Sequence, residues 1–202
     1  MIRKGVLIGC CAWLWVSGCN REPEPATPSP GAAVLSAVIA SPAPAPAASA
    51  ALAAPGLLAV GAEVPDVSAP AQNGTVVGLR ALKGKPVVVY FYPKDDTPGC
   101  TIEAKGIRDQ YAELNRRAVV LGVSEDSLES HQAFATKYDL PFLLLDDTNH
   151  ALTSAFGVPL SAGHAKRVTF VIDAQGVVRK VFPDVNPSGH AAELLEALKA
   201  LG

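Results

Sequence analysis

The chain has 202 residues, with 17 basic and 19 acidic side chains and a formal net charge of −2. No basic cluster interrupts this balance, which argues against a nucleic-acid partner. Hydrophobic residues make up 49% of the chain, enough for one sizeable core, but they are spread unevenly along it.

Residues 1–19 read as an export signal. Arg3 and Lys4 open it, and Val6 to Val16 is almost wholly apolar. Eleven residues are too few for a permanent membrane helix. The segment ends in Val16-Ser17-Gly18-Cys19, small residues directly before a cysteine. This resembles the lipobox of bacterial lipoproteins, in which cleavage precedes the cysteine and its thiol takes lipid. Lipidation of Cys19 would anchor the protein in a bacterial cell envelope, on the periplasmic side. Asn20 and Arg21 follow it without the Asp that commonly marks inner-membrane retention, which leans toward the outer membrane. Cleavage would also discard Cys10 and Cys11 and take the net charge from −2 to −4, because Arg3 and Lys4 leave with them.

Residues 20–60 hold eight of the seventeen prolines among alanine and serine, the composition of a tether that cannot build a core. Residues 61–202 remain for one folded domain. Val64–Pro70 and Thr75–Leu79 flank Gln72-Asn73-Gly74, a hairpin signal. Val87–Tyr92 is a β-branched and aromatic run, the pattern of a strand buried on both faces. A helix is expected from Pro98, capped by Thr97, to about Asn115, with Ile107, Tyr111 and Leu114 on its apolar stripe. Ala118–Val123 is the next strand. Asp126 and Glu129 suggest a capping box for the helix that carries Phe134 and Tyr138. Phe142–Leu145 reads as a strand, Asn149–Phe156 as a helix ended by Gly157, Val168–Ile172 and Val177–Phe182 as a hairpin, and residues 189–200 as a last helix. Strands alternating with helices give an α/β sandwich with a mixed central sheet.

The chemistry concentrates at Cys100, which follows the Val87–Tyr92 strand and lies in the first turn of the expected helix. A helix N-terminus and a nearby guanidinium both favour a thiolate. With Cys19 lipidated, Cys100 is the one free thiol of the mature chain, and an unpaired exported cysteine points to chemistry. The run Phe91-Tyr92-Pro93-Lys94-Asp95-Asp96-Thr97-Pro98-Gly99-Cys100-Thr101 resembles the active-site loop of the peroxiredoxin family, in its bacterioferritin comigratory protein or peroxiredoxin Q subgroup. The family pattern is met by Pro93, Thr97 and Cys100. Glu103 and Ala104 continue it, and Arg167 matches the second family position. The resemblance covers residue 61 to the end and implies a thioredoxin-like sandwich with an N-terminal β-hairpin.

It also implies roles. Cys100 is the nucleophile; the Thr97 hydroxyl, the Cys100 N–H and Arg167 stabilise the charge developing on the peroxide; Pro93 shields the thiolate; and Glu103, one turn beyond Cys100, orients Arg167. Lys94, Asp95 and Asp96 read as a solvated loop, and Tyr92 either lines the pocket or packs. His131, His150, His164 and His190 lack ligand spacing, so neither metal nor cofactor is expected, and Ser124 and Ser161 have no recognisable base.

One departure matters. Many members of the subgroup carry a resolving cysteine five residues after the reactive one, where this chain has Lys105; others place it in the next helix, here about Asp126–Asp139, which has none. The resemblance therefore implies a one-cysteine, thiol-dependent peroxidase, active on hydrogen peroxide and small organic hydroperoxides. Its sulfenic acid is resolved by an external thiol such as a thioredoxin-like protein, a glutaredoxin or a small thiol. It points to a monomer. Two other readings stay open: an exported thioredoxin-like thiol–disulfide oxidoreductase, weakened by the absence of a CxxC pair at Cys100, and a redox-sensing or binding lipoprotein that does not turn over.

Overall fold

A computed structural model describes residues 56–201. The export signal, Cys19 and the tether as far as residue 55 lie outside the described residues. Leu57 and Leu58, assigned above to the tether, pack against the core, and the Leu58 N–H donates to the Phe156 carbonyl at 2.8 Å.

Ser68–Pro70 (β1) pairs antiparallel with Val76–Gly78 (β2) across the Asn-Gly turn, so the hairpin is present but shorter than its apolar flanks suggested. Gly74 supplies the turn with a φ of +84°. A 3-10 turn at Leu79–Leu82 leads into Val87–Phe91 (β3), in which every residue is buried. The expected single helix is two: Pro98–Asp109 (α1) and Tyr111–Arg117 (α2), broken at Gln110, which has left helical geometry with φ −106° and ψ 8°. Val119–Ser124 (β4) follows, then Leu128–Lys137 (α3), Leu143–Asp146 (β5) and Ala151–Phe156 (α4). Gly157 ends α4 in the left-handed region, as expected of a C-terminal glycine.

The expected capping box of α3 does not form. Ser127 is its N-cap, accepting the Ser130 N–H at 3.4 Å, and Asp126 turns elsewhere. A small ribbon of Leu160–Ser161 (β6) and His164–Ala165 (β7), not foreseen from the sequence, precedes Val168–Ile172 (β8) and Val178–Phe182 (β9). His190–Lys199 (α5) ends the fold.

The central sheet has the order β5-β4-β3-β8-β9, with β3, β4 and β5 parallel and β8 and β9 antiparallel to their neighbours. It is the mixed sheet of a thioredoxin-like α/β sandwich. Alternation along β3 sorts the core into two layers. Val87, Val89 and Phe91 face the layer with Leu152 and Phe156 of α4 and Ala69 and Val77 of the hairpin. Val88, Tyr90 and Tyr92 face the other, with Ile107 of α1, Leu114 of α2, Phe134 of α3, and Leu194 and Leu198 of α5. Cys100 belongs to that second layer.

Gly122 of β4 lies opposite Tyr90 in the parallel register and is there for space. A β-carbon at this position would sit 2.7 Å from both the Tyr90 Oη and Leu144 Cδ2. Both neighbours are fully enclosed and have no free direction in which to move. Gly122→Ala should therefore destabilise the fold by about 1–3 kcal/mol, read as a lower urea midpoint; an unchanged midpoint would mean that this part of the core is looser than its packing implies.

Candidate active site

The register of the sheet brings the site together. Val168, the first residue of β8, pairs with Phe91, the last of β3. Arg167 is thus delivered beside the point where the chain leaves β3 for the loop 92–97 and α1. Pro98 and Gly99 take the first two helical positions, so Cys100 sits in the first turn, where the backbone N–H groups have no intrahelical carbonyl. The Arg167 Nη2 lies 3.4 Å from the Cys100 Sγ. Gly99 leaves room for this approach, since a β-carbon there would lie 3.2 Å from the same Nη2. Cys100 is only 2% exposed, so its sulfur is open to small molecules at most.

The other guanidinium nitrogen, Nη1, donates to Glu103 Oε2. Glu103 is enclosed, and burial pushes its carboxyl up to about 7, outweighing the opposing pull of Arg167. Arg167 is itself held above its ordinary value. Burial works against its charge, but Glu103 and hydrogen bonding to Cys100 outweigh that cost. Three of the five expected catalytic residues, Cys100, Arg167 and Glu103, are therefore in direct contact as a chain.

The other two are placed differently. Thr97 occupies the N-cap position of α1, but its side chain does not cap the helix. Its hydroxyl donates to the Lys94 carbonyl at 3.0 Å, so its one proton closes the loop on itself. Pro93 is half-buried at the start of the loop.

The reading of Lys94, Asp95 and Asp96 as a solvated loop holds for Lys94 and Asp96, which are exposed, and fails for Asp95. Asp95 is buried, and its carboxylate is the loop's main anchor. It accepts from the Tyr92 hydroxyl at 2.7 Å and the Ser130 hydroxyl at 2.8 Å, and lies 2.9 Å from His131 Nδ1. The other nitrogen of His131 is 3.2 Å from the Leu145 carbonyl, so both ring nitrogens face acceptors. Asp126 accepts the Asp95 N–H at 2.7 Å and the Ser124 hydroxyl at 2.9 Å, which is where the missing cap residue went. Tyr92 resolves to a packed residue with a polar tip: its ring stacks with Tyr90 and its hydroxyl holds Asp95.

Asp96 is exposed, with a φ of +56°, a region that Asp tolerates better than most residues. Lys137 Nζ reaches its two oxygens at 2.9 and 2.6 Å and the Tyr138 hydroxyl donates to it at 2.6 Å; these bonds hold its carboxyl below the ordinary value. Two adjacent aspartates thus fasten the loop to α3, one inside and one outside.

On the far side of Glu103 stands His190, the first residue of α5. It is fully buried, and burial pushes its imidazole down to about 4. The two shifts affect stability in opposite senses. Glu103, ordinarily near 4.5, keeps its proton in the fold up to about 7, so the folded state binds more protons and stability falls as pH rises from about 4.5 to 7. His190, ordinarily near 6.5, refuses its proton in the fold down to about 4, so the unfolded state binds more protons and stability rises as pH climbs from about 4 to 6.5. Over the shared window the slopes oppose each other. Glu103→Gln removes the first and leaves the second. Its urea midpoint should climb with pH across that window more steeply than the parent's, by the equivalent of about 2 kcal/mol. Parallel curves would show that one of the two groups titrates normally.

The model of the AhpC/TSA family matches residues 60–181. Peroxiredoxin Bcp of Bacillus subtilis is 45% identical over 150 residues, covering 69% of this chain and 94% of the relative. The chloroplastic peroxiredoxin Q of Sedum lineare is 45% identical over 145 residues, covering 70% and 78%. Among solved structures, the bacterioferritin comigratory protein of Xanthomonas campestris, described for its alkyl peroxide reduction activity, superposes with a TM-score of 0.66 at 37% identity, covering 71% of this chain and 96% of that one. With the family model matching more than half of the chain and relatives of 45% identity named peroxiredoxin Bcp and peroxiredoxin Q, the chain belongs to the AhpC/TSA family, with the peroxiredoxins of the Bcp and Q type, as a thiol-dependent peroxidase.

Proposed function

We propose that this chain reduces hydrogen peroxide and small organic hydroperoxides through Cys100, that an external thiol resolves the resulting sulfenic acid, and that it works from a lipid anchor at Cys19. The observation that carries the reading is the Arg167 Nη2 at 3.4 Å from a sulfur that is 2% exposed, in a chain whose residues 20–202 hold no other cysteine.

The chemistry follows from that geometry. The Cys100 thiolate attacks one peroxide oxygen; the S–O bond forms as the O–O bond breaks. The departing oxide takes a proton and leaves as water or alcohol, and the sulfur is oxidised by two electrons to the sulfenic acid. Arg167 lies where it can meet the charge as it moves from sulfur to the leaving oxygen. Glu103 keeps the guanidinium aimed. An external thiol then attacks the sulfenic sulfur, forming a mixed disulfide and releasing water. A second external thiol displaces Cys100 and leaves as the disulfide. Lys105, exposed on α1, stands where a resolving thiol would stand in two-cysteine relatives. The enclosure of Cys100 favours peroxides with small substituents.

The anchor rests on Val16-Ser17-Gly18-Cys19 and on the proline-rich residues that follow, which would let the catalytic domain stand off a membrane on the periplasmic side. Asn20 after Cys19 favours the outer membrane over the inner.

Cys100→Ser should remove peroxidase activity to below about one per cent and leave the urea midpoint close to the parent's, because one chalcogen replaces another at little change in volume. Oxidised parent protein, with Cys19 processed, should react with a 1,3-dione and gain a mixed disulfide when a small thiol is added. Intact mass under non-reducing conditions is the check: a product two hydrogens lighter with no adduct would mean that a second thiol is present and that resolution is internal. For the anchor, the N-terminal peptide of membrane-extracted protein should carry diacylglycerol on Cys19. An intact Met1 terminus, or equal release of the parent and Cys19→Ala into the soluble fraction, would remove that part of the reading.

A further inference from the structure

Glu103 has two carboxylate oxygens, and the contact with Arg167 accounts for one. The other, Oε1, is buried without a hydrogen-bond partner. A buried acceptor left unpaired is costly, the more so on a group that carries charge. Facing it at 3.9 Å is the Nε2 of His190. This nitrogen lies 2.9 Å from the Thr169 hydroxyl of β8. The ring is set edge-on to Phe182 of β9, with centroids 5.5 Å apart. Its Nδ1 is likewise buried without a hydrogen-bond partner, and Glu193 Oε2 lies 3.6 Å away. Neither enclosed side chain has open solvent in which to find a substitute partner.

We propose that His190 is a positioning residue for peroxide reduction: its Nε2–H holds Glu103 Oε1 from the far side, which keeps Oε2 on Arg167 and Arg167 on the Cys100 sulfur. The inference builds on the thiol-peroxidase activity and adds a residue that neither touches the sulfur nor could be singled out by spacing. The groups follow one another in the fold, from His190 at the start of α5, 3.9 Å from Glu103 on α1, to Arg167 before β8, which is hydrogen-bonded to Glu103, and back to Cys100 on α1. At 3.9 Å the two atoms are too far apart for a hydrogen bond, and Nε2 is also held by the Thr169 hydroxyl, so the hold is that of an N–H dipole on a buried oxygen with no other partner. The charged and titratable groups around Glu103 are Arg167 before β8, Tyr90 of β3, Cys100 on its own helix and His190 of α5; Glu193 stands behind His190. Of these, His190 is the one that presents a nitrogen to Oε1.

The two ring nitrogens separate this role from a packing role. The side-chain amide of Gln reaches the position of Nε2, and that of Asn reaches only as far as Nδ1. The experiment is stopped-flow oxidation of Cys100 by hydrogen peroxide across neutral pH for the parent, His190→Gln, His190→Asn, Glu103→Gln and the two double variants. The parent rate, far above that of free cysteine, establishes the peroxidase activity independently of His190. His190→Gln should stay within about threefold of the parent, and His190→Asn should be slower by about tenfold. That loss should vanish in the Glu103→Gln background, because a residue acting only through Glu103 has nothing left to act on. The pH inflection of His190→Asn should also move upward, since the carboxylate has lost its donor. A loss of equal size with and without Glu103, or a His190→Asn variant that reacts at the parent rate with an unmoved inflection, would overturn the proposal.

Discussion

The Arg167 guanidinium is the hinge on which this structure turns. One of its nitrogens touches the sulfur that reacts and another holds a carboxylate that has no exposure to water. A planar cation with several fixed donors can serve both ends at once, whereas a lysine offers a single point of charge. The arrangement asks a great deal of the fold. Arg167 must leave β8 at one particular residue, so the pairing of Val168 with Phe91 cannot slip; a shift by one position would turn the side chain to the opposite face. The glycine at position 99 has to stay small, and Glu103 has to be buried deeply enough to remain beside the arginine. The enclosed β3 and the two-layered core are what make such register exact.

The loop that carries Cys100 is held just as deliberately. Asp95 points inward to a cluster of Tyr92, Ser130 and His131, and its backbone N–H goes to Asp126. Asp96 points outward to Lys137 and Tyr138. The inner cluster is shielded from salt and water, and the outer clasp is exposed to both, so their contributions are unequal although the residues are neighbours. Inside, removing one partner would strand the rest; outside, removing Lys137 would cost little.

Much of the frame could be read before any coordinates. The apolar run at Val87–Phe91, the Asn-Gly turn and the Val168–Phe182 hairpin carry strong local signals, and local signals are what a sequence displays. Cys100, Glu103 and Arg167 were legible for another reason: they sit in segments whose whole pattern resembles a known family, so that Arg167 did not have to be inferred from its own surroundings. What escaped notice depended on distance along the chain. Asp95 looks solvated because Lys94 and Asp96 flank it, but apart from Tyr92 its partners are 31 to 36 residues away. Asp126 reads as a cap because Glu129 follows it at the spacing of a capping box; the Asp95 backbone N–H claims it instead. The break at Gln110 has neither glycine nor proline to mark it. His190, a single histidine before an apolar helix, could not be separated from a surface residue until the carboxylate of Glu103 was seen beside it.

The enclosure of Cys100 has a consequence for recycling. A peroxide is small enough to reach a sulfur that is 2% exposed, but a thiol reductant, protein-borne or free, must place its own sulfur in line with the new S–O bond and then leave room for a disulfide. The oxidised residue is therefore behind a door that its first substrate never had to open. The loop 92–97 leads directly into the turn that carries Cys100, and it is fastened by Asp95 inside and Asp96 outside. Access for the second reactant is therefore a demand on the fold that the first reactant does not make, and it falls on the segment of chain that is tied down most firmly.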